Sequence, residues 1–266
     1  MVEIFQNIRK RYKFSVPCEE LVNSVEFYSQ SVLDCSVQHI KDEISSVKMF
    51  PSWTPTFYIN LGTPYYIDLK SSRYLVKEED DVLILRNGDV TRHILPTDNI
   101  FTVKFNPGGL ETVLGLNQVP VTDQIINLNH ILPLQLLRKM KQPIRFEERV
   151  EIMESFLLER CVRQSNQDHY VRIVNDCIGE YQAAGMQLNT SKVAEKLFIT
   201  SKTINRYFNR VIGTPPKNYF SILRGRYALT AFINDRENFI PMAYGYYDLS
   251  HFHKDIVNFT GQRLAK

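Results

Sequence analysis

No run of 18 or more consecutive apolar residues occurs in the 266-residue chain, so no transmembrane helix is expected. The opening segment MVEIFQNIRKRYKF lacks the apolar centre and small-residue cleavage site of a secretory signal, and a cytoplasmic location is expected. Cysteine is scarce and scattered: Cys18, Cys35, Cys161 and Cys177 form no CxxC pair. That argues against a disulfide framework or a zinc site and points to buried, reduced thiols. The Gly-x-Ser-x-Gly elbow of serine hydrolases is missing, as is the Gly-x-Gly-x-x-Gly loop of dinucleotide enzymes. Residues 1–127 hold only His39 and His93, far apart in sequence. A metal-dependent barrel enzyme would need several converging histidines and carboxylates. The chain therefore reads as a non-enzyme, with no cofactor and no metal site.

What is present is an ordinary globular composition, 44% hydrophobic and 23% charged, over a length that suits two domains. A formal net charge of +3 says little, but its distribution says more. Residues 168–266 carry 13 Lys and Arg against 8 Asp and Glu, a net of +5, while residues 1–167 carry 19 against 21. The basic surplus sits where a partner rich in phosphate would be met.

Two textures divide the chain. Between Val47 and Phe105, short β-branched and aromatic runs are separated by Pro, Gly and Asn. The runs Thr56–Leu61, Tyr65–Leu69, Val82–Leu85 and Phe101–Phe105 predict strands of an antiparallel barrel or sandwich. Arg86-Asn87-Gly88-Asp89 reads as a hairpin turn, because Asn-Gly tolerates positive φ. Pro107-Gly108-Gly109 is a turn rather than a phosphate cradle, since no Lys-Ser/Thr follows. From Leu128 the period becomes helical. Leu132, Leu136, Leu137 and Met140 form one stripe, and Val150, Met153, Phe156 and Cys161 form another beyond Pro143. This helical pair is either a linker with a dimerisation surface or simply part of its own domain's core.

After Tyr170 nearly everything reads as helix. Tyr170, Val171, Val174, Ile178 and Tyr181 make an amphipathic stripe that stops near Gly185. Asn189 and Thr200 stand where caps would open two short helices, and Gly213 closes the second. Ile204, Phe208 and Val211 face inward on that second helix, leaving Lys202, Asn205, Arg206, Asn209 and Arg210 outside. Such a pair is a helix-turn-helix, whose second helix can enter the major groove. Arg pairs bidentately with guanine and Asn with adenine. An ordinary solvated helix face would carry the same residues.

The continuation decides between these readings. Gly213-Thr214-Pro215-Pro216-Lys217-Asn218-Tyr219, followed by Leu223-Arg224-Gly225-Arg226-Tyr227-Ala228, resembles the first hallmark of the AraC/XylS family of bacterial transcription regulators. Gly245-Tyr246-Tyr247-Asp248-Leu249-Ser250-His251-Phe252 resembles the second, and Asn258-Phe259-Thr260-Gly261 its usual end. The resemblance spans about the last hundred residues. It implies two helix-turn-helix units on a rigid connecting helix, reading one face of double-stranded DNA about one helical turn apart. Carried over by position, it assigns base reading to Lys202, Asn205 and Arg206 in the first unit. In the second it assigns Leu249, Ser250, His253 and Lys254, with a phosphate near Ser250. His251 and Phe252 are packing residues in this reading. His251 and His253 do not suggest a metal, since residues two apart on a helix point different ways.

One departure stands out. Only Tyr244 separates Ala243 from Gly245, where the family has about three residues. A helix shorter by two residues turns its face by about 200°. The second unit is thus expected to be reshaped, with Pro241 near the start of its first helix and most sequence discrimination left to the first unit.

Phe50-Pro51-Ser52-Trp53, Tyr58-Ile59-Asn60-Leu61-Gly62 and Phe105-Asn106-Pro107-Gly108-Gly109-Leu110 resemble the N-terminal sensor domain of one group of these regulators. The fold expected is α+β. A β-barrel or cupin-like sensing or assembly domain (residues 1–127) is joined by linker helices (128–166) to an all-α DNA-binding domain with two helix-turn-helix units (167–266). An interior lined by Trp53, Phe57, Tyr58, Tyr65, Tyr66 and Tyr74 would either hold an apolar effector, with Trp53, Tyr58 and Tyr66 as its contacts, or be filled by those rings. Double-stranded DNA is the expected partner. A small-molecule effector, RNA polymerase and a second copy of the chain are further candidates, and a membrane is not. The alternative is an AraC-like protein with a degenerate second unit, acting mainly through protein–protein interaction.

Overall fold

The computed structural model describes residues 12–31, 45–94, 97–163, 169–261 and 263–264. Cys35 and His39 lie outside them, as does the expected junction between residues 166 and 167. Among the described residues ten strands form two antiparallel sheets. The larger contains β1 (Tyr12–Ser15), β2 (Val25–Ser31), β4 (Pro55–Asn60), β7 (Val82–Leu85), β9 (Ile100–Phe105) and β10 (Ile125–Asn127), in the order β1-β2-β9-β4-β7-β10. The smaller contains β3 (Ser45–Met49), β5 (Tyr65–Leu69), β6 (Ser72–Val76) and β8 (Val90–Ile94), in the order β3-β8-β5-β6. The class is α+β as expected, but among the described residues the sheets do not close into a barrel.

The central strands β4, β7 and β9 are buried at every position. Their alternate side chains serve two cores, because successive residues of a strand point to opposite faces. Tyr58, Val82, Ile84 and Ile100 join Met49, Tyr65 and Ile67 in one core, shared with the smaller sheet. Phe57, Ile59, Leu83, Leu85, Phe101, Val103 and Phe105 face the other way. There they meet α1 (Gly109–Leu114), α2 (Leu134–Met140) and α3 (Phe146–Arg163) through Leu110, Leu137, Met140, Val150, Met153 and Leu157. The helical pair after Leu128 therefore shares the core of the β domain.

The Asn87-Gly88 turn differs from its expected role. Its flanking strands β7 and β8 belong to different sheets, and neither residue takes a positive φ. The turn carries the chain from one sheet to the other, and the Arg86 carbonyl there accepts from the backbone N–H groups of Ser52 and Trp53.

The C-terminal part is helical: α4 (His169–Ala183), α5 (Thr190–Lys196), α6 (Ser201–Val211), α7 (Pro216–Asn234) and α8 (Leu249–Thr260). α4, α5 and α6 close around Val174, Cys177, Tyr181, Val193, Ile204 and Phe208. Ahead of α8 stands no α-helix but one 3-10 turn, Pro241–Tyr244, with no buried residue. Pro241 starts it, and Gly245, at φ +72°, ends it after four residues. Too few residues lie between them for a second turn of helix. The two-residue shortening thus deletes a helix rather than rotating one.

Candidate nucleic-acid interface

The first unit is built by its caps. The Asn189 side chain accepts the N–H of Lys192 at 2.9 Å, opening α5, and the Thr200 hydroxyl accepts the N–H of Thr203 at 3.1 Å, opening α6. Each cap satisfies a backbone donor that a helix start leaves without an intrahelical partner. Ile204, Tyr207, Phe208 and Val211 anchor α6 from below. Lys202, Asn205, Arg206 and Asn209 stand exposed along its outer side. The Asn205 amide donates to the Ser201 carbonyl and the Asn209 amide to the Asn205 carbonyl, at 2.9 and 2.8 Å. Both amides would leave those local bonds to reach a base edge. The Arg206 guanidinium lies 5.0 Å from the centroid of the Tyr207 ring and donates to its hydroxyl.

Arg210 is placed differently from the other four. Its guanidinium lies over Tyr170, 4.6 Å from the ring centroid, and 3.7 Å from Glu111 of α1. Its carbonyl accepts from the Asn117 side chain at 2.9 Å. The end of α6 thus rests on the N-terminal domain, and Arg210 belongs to that contact. Sequence reading had no signal for this, since Glu111 lies about a hundred residues upstream.

In the second unit Asp248 caps α8 by accepting the N–H of His251 at 2.7 Å. Leu249 and Ser250 are exposed at its start and Lys254 one turn further on. His253 is not placed with them. Its ring packs edge-on to Phe232 and Phe252, and its Nε2 is buried. α8 is tied to the connecting helix α7 by Arg224, 3.0 Å from Asp255, and by Gly225, where a Cβ would stand 2.8 Å from the Phe259 ring. Among the described residues no cluster of three or more His, Cys, Asp or Glu is placed to hold a metal.

The expected effector contacts are not brought together. Tyr58 is buried between the sheets, where its hydroxyl accepts from Arg86 at 2.8 Å, Tyr65 is buried with it, and Phe57 is buried on the opposite face against the helices. Tyr66 and Tyr74 lie exposed on the smaller sheet. Trp53 sits at the domain boundary, packed against three apolar cores. A cavity of about 450 Å³ lies instead between the domains, lined among others by Glu26, Asn106, Arg172, Asp176, Arg226 and Tyr227. At its edge Glu26 of β2 pairs with Arg226 of α7 at 2.7 Å and with Lys104 of β9 at 3.3 Å. Sequence reading missed all three of these residues.

No family model and no curated protein matches the sequence. Solved structures do match. ToxT from Vibrio cholerae superposes with a TM-score of 0.51 at 8% identity, over 95% of this chain and 96% of that one. Its K231A variant from strain SCE256 gives 0.51 at 10% identity, over 84% and 92%. ToxT from strain O395 gives 0.50 at 9% identity, over 96% and 95%. At such identities the likeness is one of fold. Along nearly its whole length, this chain is similar in fold to ToxT, a regulator of the AraC family.

Proposed function

We propose that the chain is a sequence-specific, double-stranded DNA-binding transcription regulator. On this reading residues 1–127 are a sensing or assembly domain, 128–166 its helices, and 167–266 the DNA-binding domain. The observation that carries the reading is the exposed row Lys202, Asn205, Arg206 and Asn209 on a capped, well-anchored second helix of a helix-turn-helix. These residues combine charge for phosphate with amide and guanidinium groups for base edges. Ser250 and Lys254 of α8 make the second contact, mainly to backbone phosphate. The two hallmark sequences and the shared fold with ToxT support the same reading.

The test is selection of bound sequences from a random duplex pool by the full-length chain at fixed salt. Enrichment of a motif supports the regulator, and two blocks one helical turn apart would show both units reading. Binding without enrichment that vanishes at modest salt rejects it.

An effector belongs to the same proposal. One ToxT structure of this fold contains (E)-4-(8-methylnaphthalen-1-yl)but-3-enoic acid, a small aromatic carboxylic acid. The inter-domain cavity, with Arg172 on its wall beside the Glu26–Arg226 pair, is where this chain would take a small organic ligand bearing a carboxylate. A ligand bound only by the folded chain raises its melting temperature, and Arg172→Ala should cancel that rise.

One observation favours a second reading, regulation through a protein partner. Ile240, Met242, Tyr247 and Leu249 are exposed around the reshaped second unit, Tyr247 at 88%. Such grouped apolar exposure marks protein-binding surface more often than DNA-binding surface. RNA polymerase or a second copy would fit there. Salt-independent retention of polymerase by the wild type, lost on Tyr247→Ser, would support it.

A further inference from the structure

The core of the second unit is completed from the other domain. The 3-10 turn that replaces its leading helix buries no side chain, yet Phe252 and Ile256 of α8 are fully buried. Ile222, Ala228, Leu229 and Phe232 of α7 and Tyr246 cover part of them, and the half-buried Phe239 and Tyr244 pack alongside. One further fully buried member of this cluster comes from the other domain. Phe50, which follows β3, is 0% exposed and belongs to neither core of the β domain. Its ring lies edge-on to Phe259 of α8, with centroids 6.2 Å apart.

The same short segment also reaches the first unit. Three residues on, Trp53 packs against the cluster of α4–α6, the cluster of α8 and the core of the β domain at once. The segment is fixed from behind. Ser52 and Trp53 donate their N–H groups to the Arg86 carbonyl, each at 2.9 Å, and the hydroxyls of Ser52 and Thr54 meet at 2.6 Å. The Trp53 carbonyl accepts from Gln118 at 3.0 Å. Trp53 itself has φ +51°, a left-handed conformation that a bulky residue keeps only where its surroundings over-determine it. Beside this segment, Lys48 of β3 lies against Gly261, which caps α8 at its far end.

We propose that Phe50 and Trp53 are positioning residues for DNA reading. Phe50 supplies to the core of the second unit a fully buried side chain that the short 3-10 turn does not. Trp53, on the same rigid turn, sets where α8 stands relative to α6. The N-terminal domain is then a structural part of the DNA-reading surface, and a change felt at residues 50–54 moves α8 directly. Only the consequence for DNA rests on the function proposed above.

The test uses the full-length chain without DNA. Phe50→Ala should speed amide hydrogen exchange in α8 on the order of 100-fold, as truncation of a buried Phe implies. Exchange in β4, β9 and α6 should hold, and Phe50→Met should restore most of the protection. Protection of α8 equal to wild type would overturn the proposal. So would faster exchange spread evenly over β4 and β9, which would make Phe50 a core residue of its own domain. Duplex selection then follows. Phe50→Ala should keep the block read by α6 and lose the second. An unchanged two-block motif would refute the positioning role. A wild type that selects no motif at all would sink DNA reading, while the exchange result stands or falls by itself.

Discussion

Glu26 shows how much can hang on one carboxylate. It is nearly buried between two buried cations, Lys104 at 3.3 Å and Arg226 at 2.7 Å, and so joins β2, β9 and α7. Two positive side chains that close together would repel strongly without it, because the surroundings screen charge poorly. Breaking a buried pair by removing one partner is costly even where the pair itself contributes little. Glu26→Gln should therefore cost about 3–5 kcal/mol, read as a lower urea midpoint at unchanged slope. Lys104→Met in the same background should recover part of it, since it removes one of the two buried charges that Glu26 neutralises. Arg206 is the opposite case, exposed and resting on the Tyr207 ring and hydroxyl. Arg206→Ala should leave stability nearly unchanged and weaken specific DNA by about 1–3 kcal/mol, relaxing choice at one base. An equal loss on specific and random duplexes would make it a phosphate contact instead.

At the scale of elements, α4 carries a pH dependence of its own. Burial pushes the Cys177 thiol up from 9.0 to about 12, with the Asp176 charge adding to it. Burial also pushes the Tyr181 hydroxyl up from 10.0 to about 12, against the pull of Arg224. Both groups are held neutral in the fold and ionise more easily once unfolded. Their contribution is complete below the unfolded pKa values and drains away as pH rises toward the folded ones. The melting temperature should fall above about pH 9, and Cys177→Ala should make that fall shallower, with the Cys18 thiol, also raised by burial, carrying what remains of it below about pH 10. A fall of unchanged steepness would place the sensitive group elsewhere. What could be read in advance at this scale followed from local chemistry. β4, β5, β7 and β9 were legible because apolar runs bounded by turn residues leave few alternatives. α5 and α6 were legible because Asn189, Thr200 and Gly213 mark their ends. The Asn87-Gly88 turn was misread because a tight-turn sequence does not say which sheet the next strand joins. Arg210 is exposed, as helix periodicity expects, but periodicity cannot see Glu111 and Tyr170 arriving beside it from outside the helix-turn-helix. Phe50 was quoted only as part of a resemblance, because its role needs a partner two hundred residues away.

At the scale of the whole molecule, the question is whether two domains behave as one. Gln118 is buried at their junction, and its amide donates both to Trp53 on one side and to Ile212, just past α6, on the other, each at 3.0 Å. Gly108 makes the approach possible: at φ +72°, a Cβ there would stand 2.7 Å from Val171 and 3.0 Å from Val211. A residue with a side chain would meet both the left-handed backbone cost and two β-branched side chains that have little room to turn. Together with Glu26–Arg226 and Trp53, these contacts couple the β domain to α4, α6 and α7. The full chain should then unfold in a single calorimetric transition, its measured enthalpy matching the van't Hoff value. Gln118→Leu keeps the volume roughly but leaves two carbonyls without their donor, at about 1–3 kcal/mol each if water cannot enter. That variant should melt earlier and begin to split into two transitions, and Gly108→Val should split further because it holds the domains apart. Two separate transitions in the wild type would mean that the junction is too weak to carry any signal from the β domain to the recognition helices. A single transition that survives both substitutions would place the coupling in the Glu26 and Trp53 contacts, and Glu26→Gln would then be the variant that uncouples the domains.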